Sequence, residues 1–283
     1  MMKPLKRKSF DIFKKSHPIY IEAHRGVNKE FPQNTLKSYK RAIEYELDGI
    51  ECDIWLSQDL IPVILHGGVE GELDDFTDHE GYITELYLDE IKKIKTVPGN
   101  EPIPTLDEVI QLCKNKIFMN IEIKDKRIEK VFPIVIEIIE KYDIQNQIQL
   151  SSFYHEFYYD KLKEYNMKNE KKIEFGFLYP PFSMMKYWYF IDYLFDSENC
   201  TLNIMYSDLN EDFIKKAHDN NMRVMAWFKM NDKENFEIYS HLFALGVDSI
   251  CCNNPCLLKE FRNKVEKGEI IPQLKKSSYC CIF

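Results

Sequence analysis

The stretch GIECDIWL at residues 49–56 contains the pattern from which the fold of this chain can be predicted. Its apolar and β-branched residues predict a strand over residues 50–54. Because successive side chains of a strand point to opposite faces, we expect Glu51 and Asp53 to point together. The stretch therefore combines a strand with a pair of carboxylates, and similar strand-like segments recur along the chain.

Strand-like and helix-like segments alternate from one end of the chain to the other. We predict eight strands, at residues 19–23, 50–54, 118–123, 148–152, 173–177, 202–206, 223–228 and 247–251. We predict helices between them at residues 34–47, 106–114, 128–142, 156–165, 209–220 and 234–245. Thr105 opens one helix with a Thr-x-x-Glu capping box, and Gly246 follows another where left-handed backbone is favoured. Eight strands alternating with helices over roughly 250 residues predict a single (β/α)8 TIM barrel, with a doubly wound open sheet as the alternative.

Two irregular stretches interrupt this alternation. Residues 61–103 are too long for a simple crossover and too polar in their middle for a core, so we predict an insertion after the second strand that carries His66. Residues 179–197 are rich in aromatic side chains. A buried helix is the favoured interpretation of this second stretch, and a lid or lipid-facing element is the alternative.

Composition narrows the class of protein. The net charge of −8 and the pI near 5.5 argue against nucleic acid as a partner, because a phosphate backbone demands a basic surface. The eight cysteines include no pair of CxxC motifs, which favours a reduced chain over a zinc or disulfide scaffold. The first residues lack the apolar core of a signal peptide, and no apolar run approaches the ~20 residues of a membrane span. We therefore expect a cytoplasmic protein.

Chemically reactive side chains collect at or just beyond the ends of the predicted strands, which favours the barrel over the open sheet. They are His24 and Arg25, Glu51 and Asp53, His66, and Glu122 with Lys124. Three converging carboxylates would repel one another without a cation, and all-oxygen ligands suit Mg²⁺ or Ca²⁺ rather than zinc. Two histidines can act as general base and acid around a phosphate held by Arg25 and Lys124. The pattern predicts a metal-dependent phosphodiester site.

The same residues resemble the motifs of the glycerophosphodiester phosphodiesterase family, a TIM-barrel group related to spider-type sphingomyelinases D. The matching motifs are His24-Arg25-Gly26 with Pro32-Gln33-Asn34-Thr35, Glu51-Cys52-Asp53 with DLIPVILH ending at His66, and Glu122-Ile123-Lys124. Later segments fit as well, with VMAWFKMND around Trp227 and GVDSICCNNP near residue 250. The resemblance spans about residues 19–255.

The resemblance implies a role for each matched residue. It assigns acid–base catalysis to His24 and His66, metal binding to Glu51, Asp53 and Glu122, and phosphate or substrate contact to Arg25 and Lys124. We expect Trp227 to form a wall of the substrate pocket, and filling of the barrel mouth is the alternative. The implied reaction is attack on phosphorus by water or by the substrate's own hydroxyl, which releases an alcohol and glycerol 3-phosphate. A lysophospholipid would give lysophosphatidic acid instead.

Three positions depart from the family pattern. Gln33 replaces the usual Glu, Gly67 replaces the Asp after the second histidine, and Asn253 stands where Asp is usual. Each change removes a negative charge, so we expect altered affinity or substrate preference. Two alternative functions stay open: a sphingomyelinase D-like phospholipid cyclase, and a weakly active phosphodiester-binding protein at membranes.

The two ends of the chain are expected to lie outside the barrel. We predict an N-terminal extension at residues 1–18, the barrel at 19–262 and a tail at 263–283. The tail ends Cys280-Cys281-Ile282-Phe283, which matches the C-a-a-X pattern and favours geranylgeranylation of Cys280. One prenyl chain with Lys275 and Lys276 would give reversible attachment to the cytosolic face of a membrane, where lysolipid substrates are met.

Overall fold

The computed structural model describes residues 17–73, 75–181 and 200–274. Within these residues one sheet contains all the strands, in the order β1-β9-β8-β7-β6-β5-β4-β2-β3. The strands are β1 (Tyr20–Ala23), β2 (Gly49–Leu56), β3 (Pro62–Ile64), β4 (Phe118–Ile123), β5 (Ile148–Ser152), β6 (Glu174–Leu178), β7 (Cys200–Met205), β8 (Arg223–Trp227) and β9 (Ser249–Cys252).

The sheet closes on itself because β1 pairs with strands on both of its sides. Glu22 lies opposite Gly49 of β2, and Tyr20 lies opposite Ser249 of β9, both in parallel register. The short strand β3 pairs antiparallel with the end of β2 and lies outside the closed ring. Eight parallel strands thus form a barrel, which confirms the predicted TIM barrel and excludes the open sheet.

Helices follow most of the barrel strands. They are α1 (Leu36–Glu44), α2 (Leu88–Ile91), α3 (Leu106–Cys113), α4 (Ile128–Tyr142), α5 (His155–Lys168), α6 (Glu211–Asp219), α7 (Phe236–Leu245) and α8 (Pro255–Glu266). The Thr105 side chain accepts a hydrogen bond from the Glu108 N–H, so the predicted capping box is present. Gly246 ends α7 with φ of 85°, as predicted. Helix α8 was not predicted, although Asn254 at its N-cap and Pro255 in its first turn are both start signals.

The insertion after β2 has a small apolar core of its own. Its buried side chains include Leu73 and Ile83 from the stretch that the sequence analysis considered too polar for a core, and they pack with Trp55 of β2. The expectation for that stretch was therefore wrong in this respect, because a few apolar residues suffice when they share one side of a compact loop. The insertion also packs against the loop after β1. A Cβ at Gly99 would lie only 2.0 Å from Pro32 Cγ.

Three expectations fall largely on parts of the chain that are not described. The first is the N-terminal extension predicted at residues 1–18, of which only residues 17 and 18 are described. The aromatic stretch 179–197 lies outside the described residues from position 182 onward, as does the terminal segment 275–283 with Cys280. The buried helix and the lid considered for residues 179–197 stay predictions, as does the prenylation of Cys280. The domain boundaries stay predictions too. Among the described residues, no helix combines the length and apolar character needed to cross a bilayer.

Candidate active site

A sharp turn after β1 sets one side of the site. Arg25 has φ of 57° and Gly26 has φ of 81°, both in the left-handed region. A Cβ at Gly26 would lie 2.3 Å from Ser38 Oγ, so glycine is the residue that fits there. The turn points the backbone N–H of Arg25 at Glu51, whose Oε2 accepts the hydrogen bond at 2.9 Å. The His-Arg-Gly sequence thus fixes a carboxylate on the neighbouring strand.

Three carboxylates converge from the interior of β2 and the carboxyl end of β4. Glu51 and Asp53 lie on one face of β2, and Asp53 is the register partner of Glu122 on β4. Each of the three offers an oxygen within 4.8 Å of the others. Glu51 and Asp53 are buried, and Glu122 is partly buried. The structure therefore brings together the carboxylates that the sequence analysis grouped as metal ligands.

The electrostatics of these carboxylates fit a cation. Burial, with Asp53 and Glu122 nearby, holds the pKa of Glu51 well above its usual range, and burial beside Asp53 raises that of Glu122 to about 7. Burial opposes ionisation of Asp53 too, but Arg25 and Lys124 hold its pKa below the usual range. Arg25 Nε lies 3.3 Å from Asp53 Oδ2, and Lys124 Nζ lies 3.8 Å from Asp53 Oδ1. All three carboxylates would ionise readily with a hard divalent ion between them, so the donor set fits Mg²⁺ or Ca²⁺.

His24 is held in one tautomer by Asn253. The Nδ2 of Asn253 donates to the Lys229 carbonyl at 2.8 Å, which leaves its Oδ1 as the acceptor facing His24 Nδ1 at 2.9 Å. The proton of neutral His24 therefore sits on Nδ1, and Nε2 carries the lone pair, 4.0 Å from Glu51 Oε2. Burial, with Arg25 beside it, lowers the pKa of His24 to about 3, so the ring is neutral at neutral pH.

His66 enters the site from the insertion. Its carbonyl accepts a hydrogen bond from Trp55 Nε1 at 3.1 Å, and its ring lies 5.1 Å from that of Phe76. The buried Nδ1 has no hydrogen-bond partner within the described part of the chain. Burial lowers the pKa of His66 to about 3, although Asp53 acts in the opposite direction. Gly67 follows with φ of 60°, so an aspartate there would adopt a strained backbone.

These side chains surround one cavity of about 240 Å³. Its lining includes His24, Arg25, Glu51, His66, Glu122, Lys124 and Trp227. Asp53 is the predicted site residue that does not line the cavity, since it is buried beside Arg25 and Lys124. Trp227 Nε1 is buried without a hydrogen-bond partner among the described residues, so this indole N–H is available to a ligand.

Three further residues support the site. Gln33 and Asn253 were noted from the sequence only as departures from the family pattern, and Asn34 was given no role. Asn34 donates from Nδ2 to Asp53 Oδ2 at 2.8 Å, and Gln33 accepts from Arg25 Nη1 at 2.7 Å. The third is Asn253, whose contact with His24 spans 229 positions of sequence. A signal existed for Asn34, because asparagine directly after Pro-Gln favours the left-handed backbone that it adopts, with φ of 57°. The long-range contact of Asn253 left no local signal.

The glycerophosphoryl diester phosphodiesterase family model matches residues 24–257 of the chain, a range that includes every residue of this site. The chain belongs to this family. A glycerophosphodiester phosphodiesterase from Caldanaerobacter subterraneus subsp. tengcongensis is 30% identical over 263 residues, covering 88% of this chain and 98% of the relative. Members of the family generally depend on a divalent cation, and the acidic cluster on β2 and β4 agrees with that property.

Solved structures show the same fold. An Oleispira antarctica phosphodiesterase, determined with the product sn-glycerol-3-phosphate, is similar with a TM-score of 0.71 at 24% identity, over 86% of this chain and 96% of that one. The glycerophosphodiester phosphodiesterase from Thermotoga maritima has a TM-score of 0.69 at 22% identity, over 87% and 99% of the two chains. The comparisons confirm the predicted family, the barrel and the prediction of a glycerophosphodiester phosphodiesterase.

Proposed function

We propose that this protein hydrolyses glycerophosphodiesters to an alcohol and glycerol 3-phosphate, with a divalent cation held by Glu51, Asp53 and Glu122. The observation that carries the proposal is the convergence of these carboxylates beside a cavity that is lined by two neutral histidines and two cationic side chains. All-oxygen ligands favour Mg²⁺ or Ca²⁺. When bound, such an ion supplies screening of the negative charge that develops on the phosphoryl oxygens.

Arg25 and Lys124 are the proposed phosphate ligands. Both line the cavity, and both lie near the single carboxylate of Asp53, so their two positive charges exceed the negative charge that Asp53 offers. Gln33 supports this role because it accepts from the Arg25 guanidinium without neutralising it. An anionic phosphodiester would complete the charge balance.

His24 is the proposed general base. Its Nε2 carries a lone pair because Asn253 holds the proton on Nδ1, and burial keeps the ring neutral. Nε2 can therefore take the proton of the attacking hydroxyl, which belongs to water or to the glycerol of the substrate.

His66 is the proposed general acid. It must be protonated to act, and the bound anionic phosphodiester raises the pKa of an adjacent imidazole. Substrate binding therefore increases the fraction of His66 that is protonated. The imidazolium of His66 then gives its proton to the leaving alcohol oxygen as the phosphorus–oxygen bond breaks.

Lysophospholipids are the second proposed substrate class. Phe153, 39% exposed, packs edge-on against Trp227 at the wall of the cavity, with ring centroids 6.0 Å apart. This apolar surface supports contact with an acyl chain. The reaction would then release lysophosphatidic acid or, if the hydroxyl of the lipid attacks, a cyclic phosphate.

Product analysis by mass spectrometry tests the proposal. Glycerophosphocholine and lysophosphatidylcholine are offered separately with Mg²⁺, with Ca²⁺ or with a chelator, and His24→Ala serves as the blank. Metal-dependent glycerol 3-phosphate from the first substrate is the expected result. Lysophosphatidic acid or its cyclic form from the second would place the activity on lipids, as a phospholipase D or a cyclase respectively. No product from any glycerophosphodiester, with metal still bound, would refute hydrolysis and favour the binding-protein alternative.

A further inference from the structure

A second cavity, of about 400 Å³, adjoins the site. His66 and Met230 line both cavities, so the two spaces meet at the proposed general acid. One wall comes from the loop after β1, at residues 28–33, and the other from the insertion, at Phe76 and residues 96–99. The close approach of Gly99 to Pro32 joins these two walls. The volume of this second cavity lies within the range of about 300–1,000 Å³ that is typical of small-molecule sites.

The lining of this second cavity differs chemically from that of the first. Much of it is apolar, with Phe31, Pro32, Leu65, Phe76, Val97 and Pro98. The two fully charged side chains in the lining, Lys29 and Glu30, are exposed and opposite in sign. Glu30 is also occupied, since it accepts from Arg41 Nε at 2.8 Å and from the Tyr45 hydroxyl at 2.6 Å. The first cavity, by contrast, contains Arg25, Lys124 and the carboxylates.

We propose that the second cavity binds the leaving alcohol of the substrate and favours alcohols with an apolar body. The inference rests on the proposed phosphodiesterase function and names its substrate class. As the attacking oxygen bonds to phosphorus, the bond from phosphorus to the alcohol oxygen breaks, and the proton of His66 passes to that oxygen. The departing group therefore lies on the His66 side, where the second cavity opens. Binding in this cavity removes the apolar part of the alcohol from water, which favours such alcohols over hydrophilic ones.

Two matched substrates distinguish the effect of binding in this cavity from the effect of leaving-group ability on the rate. The hexyl ester of glycerol 3-phosphate and glycerophosphoglycerol carry the same single negative charge, and both release glycerol 3-phosphate, so one assay measures both. Glycerol is the slightly better leaving group, so a preference for the hexyl ester cannot arise from leaving ability. We expect the wild-type kcat/KM to favour the hexyl ester by about tenfold or more.

The test variant places a charge in the apolar wall. Val97 is 54% exposed, so Val97→Asp should fold, while its carboxylate would face the alkyl chain. We expect the preference for the hexyl ester to fall about tenfold. Val69→Asp is the control, because Val69 is also in the insertion, is 72% exposed and lines neither cavity. It should keep the wild-type ratio.

The outcomes distinguish failure of the leaving-group subsite from failure of the proposed phosphodiesterase function. Equal kcat/KM values for the two esters in the wild type, or a ratio that Val97→Asp leaves unchanged, would overturn the leaving-group subsite while the phosphodiesterase stands. An equal loss of ratio in both aspartate variants would overturn it too, because the effect would then belong to charge in the insertion. No hydrolysis of either ester would instead refute the proposed function itself.

Discussion

Asn253 controls the chemistry of His24 through a single hydrogen bond. The amide is oriented from its other end, where Nδ2 donates to the Lys229 carbonyl, and its backbone N–H donates to Glu234 Oε1 at 2.8 Å. Because both its amide group and its backbone are anchored, Asn253 can hold the imidazole with the proton on Nδ1 and the lone pair on Nε2. An aspartate at position 253 would accept the same hydrogen bond but would add a negative charge beside the ring. The departure from the family pattern thus affects the proton affinity of His24, the proposed base, rather than its orientation.

Substitutions at position 253 should separate orientation from charge. Asn253→Leu removes the acceptor, so we expect kcat to fall about 10- to 100-fold, as for other residues that orient a functional histidine. Asn253→Asp keeps the acceptor, and its charge stabilises the imidazolium, which raises the pKa of His24. Because protonated His24 cannot act as base, the loss of kcat/KM on the acid side should begin at a higher pH than in the wild type. A pH–rate profile measures this, and superimposable profiles would contradict the account.

The two histidines should be required for turnover but not for folding. His24→Ala and His66→Ala each remove a proton-transfer group, so we expect kcat to fall about 10²- to 10⁴-fold. His79→Ala is the matched control, since His79 is exposed in the same insertion as His66 and lines neither cavity. Circular dichroism would check that each variant folds. Substantial activity in both of the first two variants would eliminate the proposed acid–base pair.

At the scale of elements, the turn from β1 into α1 illustrates what local sequence can and cannot reveal. The helix was predicted at residues 34–47 but spans Leu36–Glu44, because Asn34 adopts a left-handed backbone and Thr35 is the N-cap. All eight predicted barrel strands are present, since β-branched runs bounded by turns carry a strong local signal. The preference for glycine at position 26 has no such signal, because it depends on a side chain of α1 at Ser38.

Alanine at two glycines should measure that packing constraint. Gly26 and Gly268 both have positive φ, but a Cβ at Gly268 would meet nothing within 4 Å. Gly268→Ala should therefore lower the free energy of unfolding by the backbone strain alone, about 1–2 kcal/mol. Gly26→Ala should lower it by about 1–3 kcal/mol more, because the methyl group overlaps Ser38. Denaturant unfolding of both variants gives the difference, and equal losses would show that Ser38 moves aside freely.

For the whole molecule, stability and chemistry occupy opposite ends of the barrel. At the amino ends of the strands, Asp48 and Asp248 each precede a strand and accept a backbone N–H from the neighbouring strand, at 2.8 Å from Ile21 and 2.7 Å from Val224. At the carboxyl ends lie the carboxylates of the site. The order of motifs allowed the position of the reactive side chains to be predicted, because parallel strands bring their carboxyl ends together, but the contacts of Asp48 and Asp248 were not predicted. The second cavity was not predicted, since it forms where the insertion meets a loop far away in sequence.

A cation at the carboxylate cluster should stabilise the entire barrel as well as support turnover. Glu51, Asp53 and Glu122 lie on two paired strands and repel one another when ionised, so a bound ion favours the folded state. At a concentration 100 times its Kd, Mg²⁺ or Ca²⁺ would add about 2.7 kcal/mol to the free energy of unfolding. We expect a chelator to abolish activity and lower Tm, and either ion to restore both. Glu122→Gln should lose the metal-dependent rise in Tm, whereas Glu80→Gln, at an exposed position, should keep it. An unchanged rise in Glu122→Gln would place the ion elsewhere, and the agreement of Tm with activity is what ties the site to the fold.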